Sequence, residues 1–345
     1  MTAGARKRLV SIRSIKERGR FNLVTGATGF VGGHLVNHLL ATGEPVRVFL
    51  HNTESAHQFR HLGAEIVVGD VCDRPVLDRA LKWSKAVYHC AAASDFASDD
   101  EVRRTNLNGV RNVLHSARTA ECGRVVLVSS LNVSKSLREN TINEETLISR
   151  TGEVFSDVEI DAEALALQFT RDHDVDVTIL RPGWVYGPGE RKMSTLDNVL
   201  RLGKFAFVGR RDNIIPLVFV TDLIRAMVRA AHTTKARGRI YNITDGSKTT
   251  TGNLVKVLAG LMGHQVPRRV ISPLMARVDW ALIGCRRPYR RGIQQILSNS
   301  RHVLIDRARE ELGYRPLMSL RQGLQKTLPW LLHCAQQDLQ LRRTA

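Results

Sequence analysis

Short apolar runs alternate along the chain with longer stretches in which apolar positions recur every three or four residues. The first run is Phe21-Asn22-Leu23-Val24-Thr25, and similar runs stand at 46–50, 65–68, 86–90, 124–129, 175–180 and 240–243. Each has the length of a strand. The run at 124–129 is nearly continuous in apolar residues, as a strand buried on both faces should be. Between the runs, 31–40, 102–122 and 152–169 carry a helical period. In 102–122 the apolar positions fall at Val102, Leu107, Val110, Val113, Leu114 and Ala117, which places them on one face. Gly43 supplies a stop for the first helix. Regular alternation of strand and helix from residue 21 to about 185 predicts an α/β fold with a doubly wound parallel sheet and helices on both faces.

After Tyr186 the order loosens. Residues 187–218 and 246–345 hold helical patterns with few strands, and 219–245 returns to the sheet. The expected organisation is a sheet domain of 21–186 plus 219–245. A smaller, mostly helical lobe of 187–218 plus 246–345 is expected over the carboxyl ends of the strands, where open α/β sheets bind ligands. Residues 1–20 carry Arg6, Lys7, Arg8, Arg13, Lys16, Arg18 and Arg20 against the single acid Glu17 and lack the apolar stretch of a secretory signal. They read as a basic, disordered extension.

The first strand runs directly into Gly26-Ala27-Thr28-Gly29-Phe30-Val31-Gly32 and then into a helix. In this setting Gly26 permits the tight turn, Gly29 lets backbone approach a pyrophosphate, and Gly32 lets helix and strand pack closely. The helix start, at Phe30 and Val31, then offers free N–H groups and a positive partial charge to phosphates. This predicts a Rossmann dinucleotide site. The second strand ends Leu50-His51-Asn52, with no acid before Glu54. An acid there would receive the ribose hydroxyls of NAD. His51 suits a 2′-phosphate, so the strand end leans toward NADP over NAD. Asp70, after the third strand, is placed to meet the adenine.

Lys plus Arg number 51 against 33 Asp plus Glu, a formal net charge of +18. That surplus favours anionic partners without choosing among them. No motif for nucleic-acid recognition accompanies it, so none is expected as a partner. The basic extension and the cluster Arg286-Arg287-Pro288-Tyr289-Arg290-Arg291 leave contact with a membrane surface open. The five cysteines are odd in number and form no Cys-x-x-Cys pair. A reducing cytoplasm is therefore the expected location, and no metal site is expected. No apolar run has the length to span a bilayer.

Several further motifs stand in a telling order: Gly69-Asp70-Val71, His89-Cys90-Ala91-Ala92, Asn106-Leu107-Asn108-Gly109, Val128-Ser129-Ser130, Arg181-Pro182, Tyr186-Gly187-Pro188-Gly189, Phe219-Val220-Thr221-Asp222 and Glu311-Leu312-Gly313-Tyr314-Arg315-Pro316. With the glycine turn, they make residues 21–330 resemble the extended short-chain dehydrogenase/reductases, the branch of sugar-nucleotide epimerases, dehydratases and hydroxysteroid dehydrogenase-like proteins. The resemblance implies a nicotinamide cofactor lying along Val71, Cys90, Ala91, Ala92 and Pro182. It also implies a small-molecule substrate with a carbonyl, hydroxyl or sugar group, and a homodimer.

The catalytic end departs from the family's pattern. There a serine, a tyrosine and a lysine do the chemistry, with tyrosine and lysine at i and i+4 on one helix face. The lysine charge lowers the tyrosine pKa and binds the nicotinamide ribose. Ser130 matches the serine. Asp161-Ala162-Glu163-Ala164-Leu165 matches the segment after the lysine, which puts Glu159 at the lysine position and Phe155 at the tyrosine position. Phe155 has no hydroxyl, and Glu159 would raise the pKa of a neighbouring phenol. Four residues beyond Tyr88, Tyr186, Tyr241, Tyr289 and Tyr314 stand Ala92, Glu190, Asp245, Ile293 and Met318, so the pair has not shifted along the chain. A substitute from another segment stays open, with Tyr186 the leading candidate and Lys135 a second. Glu159 itself can accept ribose hydroxyls, or act as a base if burial raises its pKa. Two readings follow: an enzyme with changed chemistry, redox or non-redox, or a non-catalytic dinucleotide-binding regulator or assembly factor. A conventional NADP-dependent reductase or epimerase with a substitute acid/base ranks third.

Overall fold

A computed structural model describes residues 21–93, 97–134, 141–272, 274–275 and 300–343. The basic extension, Lys135, Cys285, Tyr289 and the 286–291 cluster lie outside the described residues.

In chain order the first half runs β1 (Phe21–Thr25), α1 (Phe30–Ala41), β2 (Val46–Leu50), α2 (Ala56–His61), β3 (Glu65–Val68), α3 (Arg74–Leu81) and β4 (Ser84–His89). A short α4 (Asp99–Val102) passes through a π-helical segment, Arg103–Asn108, into α5 (Gly109–Thr119). Then come β5 (Val125–Val128), a 3-10 turn (Leu131–Ser134), β6 (Thr141–Ile142), α6 (Val154–His173), β7 (Val177–Pro182) and β8 (Trp184–Tyr186). The second half adds α7 (Arg191–Arg201), β9 (Phe207–Val208), β10 (Leu217–Phe219), α8 (Val220–His232), β11 (Arg239–Ile243), α9 (Thr251–Met262), β12 (Val270–Ile271), β13 (His302–Val303), α10 (Asp306–Glu311) and α11 (Leu320–Arg343).

Seven strands form one parallel sheet in the order β11-β7-β5-β4-β1-β2-β3. Each apolar run of the sequence becomes one of these strands, with ends displaced by a few residues. The chain crosses from one side of β1 to the other between β3 and β4, which opens a crevice at the carboxyl ends of β1 and β4. Ligands of open α/β sheets bind at such a crossing.

Two apolar clusters cover the two sheet faces. One joins Leu23, Val87, Leu114 and Val113 to Ala162, Ala166 and Phe169 of α6. The other joins Val24, Leu35 and Val126 to Tyr186, Met193, Leu254 and Leu331. The second is continuous from the sheet into the helical region after Tyr186, where α7, α9 and α11 pack together. The short parallel pairs β8–β10, β9–β12 and β6–β13 stitch these segments to one another. They carry two or three residues a strand, too few for a period-2 signal in the sequence. The helix expected as one piece over 102–122 is broken by the π-helical turn. No helix among the described residues is long and apolar enough to cross a membrane.

Candidate functional site

The glycine turn has the geometry its spacing predicts. Gly26 sits at φ +68°, and a Cβ there would stand 2.5 Å from the Ala91 nitrogen. A Cβ on Gly32 would stand 2.2 Å from the Gly26 carbonyl oxygen, so α1 and the turn touch through backbone. Gly29 is the N-cap of α1, in extended conformation, and no side chain caps the helix. The first-turn N–H groups are thus left for a ligand, and a helix N-terminus in this state suits an anion. These features fit the pyrophosphate of a dinucleotide.

A cavity of about 310 Å³ opens in front of this turn. Of the expected cofactor residues, Gly26, Gly29, His51, Asp70, Val71, Cys90, Ala91 and Ala92 line it. Gly32 is buried behind the turn. Phe30 and Val31 stand in the first turn of α1, with the Phe30 ring edge-on to His34. Pro182 is buried at the end of β7, opposite Ile243 of β11. Thr28 of the glycine turn and Gly69 of the Gly69-Asp70-Val71 motif also line the cavity, as do Phe49, Ala93, Glu101, Arg104 and Thr105, which were not singled out in the sequence. The last three come from α4 and the π-helical segment, whose geometry leaves no mark on apolar periodicity.

At the β2–β3 side, Asp70 takes a hydrogen bond from the Cys72 backbone N–H at 2.9 Å and pairs with Arg104 at 2.8 Å. Partial burial raises the Asp70 pKa, but that backbone bond and the Arg104 charge outweigh it and hold the carboxyl below its ordinary value. His51 is exposed at the end of β2. Cys90, by contrast, is pushed up to about 12 by burial and stays a thiol.

On the other side of β1, past Ala91 and Ala92, lies a gap of about 10 Å³, room for about one water. His89, Asn106, Ser129, Glu159 and Glu163 face it. Asn106 leaves the π-helical turn and bridges two elements. Its Oδ1 accepts from the Ala93 backbone N–H at 2.7 Å, and its Nδ2 donates to Glu159 Oε1 at 3.0 Å. Glu159 is 8% exposed and Phe155 is half-buried one turn earlier on α6. Glu163 receives Ser129 Oγ at 2.5 Å and Arg181 Nη2 at 2.6 Å, a buried ion pair closed by a hydroxyl. His89 Nδ1 is 2.8 Å from Thr25 Oγ1, while Nε2 has no partner among the described residues. Burial lowers the His89 pKa to about 4, so the ring is neutral at pH 7.

Ser130 is half-buried, and its Oγ accepts from the Asn132 backbone N–H at 3.2 Å, capping the 3-10 turn. Tyr186 is not among the residues that line the gap beside Glu159. It is 1% exposed, its ring packs edge-on to Phe219, and its hydroxyl abuts Gly323 of α11. Burial raises its pKa well above the ordinary phenol value. That is a packing position, and we assign Tyr186 no proton transfer. Tyr88, Tyr241 and Tyr314 are buried as well. No group of side chains suited to a metal ion occurs among the described residues.

The sequence pattern of the NAD dependent epimerase/dehydratase family matches residues 22–244. Sterol demethylase protein B of Methylococcus capsulatus is 32% identical over 264 residues, covering 73% of this chain and 77% of that protein. The 3 beta-hydroxysteroid dehydrogenase/Delta 5-->4-isomerase of Mycobacterium tuberculosis is 28% identical over 348 residues, covering 93% of this chain and 92% of that protein. The solved structure of UDP-glucuronic acid 4-epimerase from Bacillus cereus in complex with NAD aligns with a TM-score of 0.74 at 19% identity, over 91% of this chain and 99% of that one. That likeness is one of fold.

Proposed function

The chain belongs to the NAD dependent epimerase/dehydratase family, and from that premise we propose that it binds NAD or NADP and acts on a small carbonyl, hydroxyl or sugar-type substrate without a tyrosine–lysine pair. The observation that carries this reading is Glu159. It stands where a lysine is expected, buried and held by Asn106 beside the inner end of the cofactor cavity. The relatives include a hydroxysteroid dehydrogenase, a sterol demethylase protein and a UDP-sugar epimerase, and sterols and sugar nucleotides both offer the carbonyl or hydroxyl the reading needs.

In this reading the uncapped start of α1 holds the pyrophosphate, with Gly26 and Gly29 giving backbone access. Asp70 and His51 receive the adenosine end, and His51 with Arg104 favours a 2′-phosphate. A nicotinamide dinucleotide supplies hydride transfer at its ring when bound. Ser130 orients the substrate oxygen once its bond to the 3-10 turn opens. Glu159 takes ribose hydroxyls or accepts a proton, the two acts a carboxylate can perform there. Phe155 contributes apolar surface and no proton.

Titration with NADH and NADPH, followed by fluorescence or thermal shift, tests the first half of the proposal. Saturable binding is expected, and no response to either at millimolar ligand would sink it. For the second half, the wild type is expected to reduce carbonyl substrates far below ordinary enzyme rates. A Phe155→Tyr, Glu159→Lys double variant is expected to gain that activity, and fast wild-type turnover with NADPH would overturn the reading.

The second reading is a non-catalytic regulator or assembly factor stabilised by its dinucleotide. The burial of the four described tyrosines favours it, since none is left to move a proton at Glu159. Under it, Ser130→Ala keeps biological function while Gly29→Val abolishes it.

A further inference from the structure

A second, open cavity of about 1120 Å³ lies where the end of α7, the side of α9 and the 263–269 link to β12 come together. None of its lining residues lines the cavity in front of the glycine turn or the inner gap. Its lining is of one sign. Arg201, Arg211, Lys256, Arg268 and Arg269 supply five permanent cations, His264 adds an imidazole, and no carboxylate lines it. The cavity in front of the glycine turn, by contrast, has Asp70 and Glu101 beside Arg104.

Acids close in sequence are engaged elsewhere. Asp212, next to Arg211 in the chain, pairs with Arg210. Asp197, one turn before Arg201, is buried and meets His264 Nε2 at 2.8 Å. None of the five cations pairs with a carboxylate among the described residues. Two of the five are held by other means. The Arg211 guanidinium lies over the Phe207 ring at 5.1 Å, and its Nη2 donates to the Arg268 carbonyl, which ties the link to the loop after β9. Arg201 Nη2 donates to Asn198 Oδ1 at 2.8 Å, while its Nε is buried with no partner among the described residues. A donor left in that state costs stability until a ligand oxygen or a water meets it. Lys256, Arg268 and Arg269 are exposed around these two.

We propose that this cavity binds a ligand carrying two or more phosphate groups, at a site separate from the dinucleotide site. A concave surface lined by one sign of charge concentrates its field on ions of the opposite sign. Guanidinium groups match phosphate oxygens in pairs, which makes arginine the residue suited to this anion. The count of charges sets the class of ligand. One phosphate carries about two negative charges near pH 7, too few to offset five cations. Two or more linked phosphates bring enough, and they let several of the five side chains bind at once. The inference stands without the dinucleotide reading, because it uses none of the same residues.

Calorimetry on the full chain, with tripolyphosphate and orthophosphate as probes, tests the proposal. The proteins are the wild type, Lys256→Gln, Arg269→Gln, the triple variant Lys256→Gln/Arg268→Gln/Arg269→Gln, and Lys235→Gln, which removes an exposed cation outside the cavity. The wild type is expected to bind tripolyphosphate more tightly than orthophosphate by on the order of tenfold. Each single cavity variant is expected to weaken tripolyphosphate binding about fivefold, the scale of one exposed ion pair, and the triple variant by on the order of a hundredfold. Lys235→Gln is expected to bind as the wild type does. The three substituted side chains are exposed, so melting temperatures at or above that of the wild type are expected and separate lost binding from lost fold. Sedimentation with phosphatidylcholine vesicles containing cardiolipin distinguishes the source of the phosphates. A free ligand gives tripolyphosphate binding without sedimentation that depends on the cavity, and a lipid headgroup gives sedimentation that the triple variant loses. Tripolyphosphate binding that survives in the triple variant, as an anion seated on the glycine turn would, overturns the proposal. So does equal affinity for the two probes, or a wild type that shows neither tripolyphosphate binding nor cavity-dependent sedimentation.

Discussion

His89 shows how one side chain ties the fold to the site. It ends β4 beside β1, and its buried ring meets Thr25 on one side and the inner gap on the other. Its pKa falls from 6.5 to about 4 in the folded chain because burial disfavours the charged ring. Between these values the unfolded chain binds a proton that the folded chain refuses, so stability rises with pH there. The contribution is complete above pH 6.5 and is lost as pH falls toward 4, an effect of roughly 3 kcal/mol. Asp245 and Glu190 act in the opposite sense, since burial raises both carboxyls and their stabilising effect fades as pH rises. The comparison must therefore be between wild type and His89→Asn. We expect urea midpoints of the wild type to climb more steeply between pH 4.5 and 6.5 than those of the variant. Parallel slopes would show that the ring is charged or exposed in the folded protein.

At the scale of elements, what was legible in the sequence follows from the length and regularity of each signal. The sheet strands and α1 came from runs long enough to show a period, and the glycine turn from residues that only one backbone shape uses. The π-helical segment Arg103–Asn108 was invisible, because an extra backbone residue per turn changes where side chains point without changing which are apolar. Yet it delivers Arg104 and Thr105 to the cavity in front of the glycine turn and Asn106 to Glu159. Ser129 was missed for a similar reason. The motif names two adjacent serines, and only packing decides that Ser129 faces Glu163 while Ser130 caps a turn. Phe155 and Glu159 were singled out because a motif with fixed spacing exposes any departure from it. The π segment carries a prediction. Asn106→Ala removes one bond from the Ala93 N–H and one from Glu159, costing roughly 1–3 kcal/mol. It should also weaken dinucleotide binding, because the 91–93 wall of the cavity loses its anchor. Unchanged melting temperature together with unchanged affinity would show that the turn does not hold that wall.

Across the whole molecule, the division into a sheet domain and a helical lobe describes the order of segments along the chain better than it describes the packing. One apolar cluster runs from Val24 and Leu35 through Tyr186 and Phe219 to Leu254, Leu324 and Leu331. Net charge could not reveal this, and neither could helical period, since both are blind to which segments share a core. The joint is tightest at Gly323. A Cβ there would stand 2.3 Å from the Tyr186 hydroxyl and 2.9 Å from Phe219 Cδ2, so α11 meets β8 and β10 with no side chain between them. The tyrosine that sequence reasoning offered as a substitute acid is thus part of the clasp between C-terminal helix and sheet. Gly323→Val should force α11 outward and cost about 1–3 kcal/mol or more as overpacking, reduced slightly by the better helix propensity of valine. Because the cluster is shared, the loss should appear in a single calorimetric transition moved to lower temperature. A separate low-temperature transition, with the remainder melting as in the wild type, would mean that the two regions unfold independently. Dinucleotide added at a hundred times its dissociation constant stabilises the folded state by about 2.7 kcal/mol. In a shared core that gain must raise the melting of α11 along with that of the sheet, which a probe on the C-terminal helix, such as Trp330 fluorescence, would report.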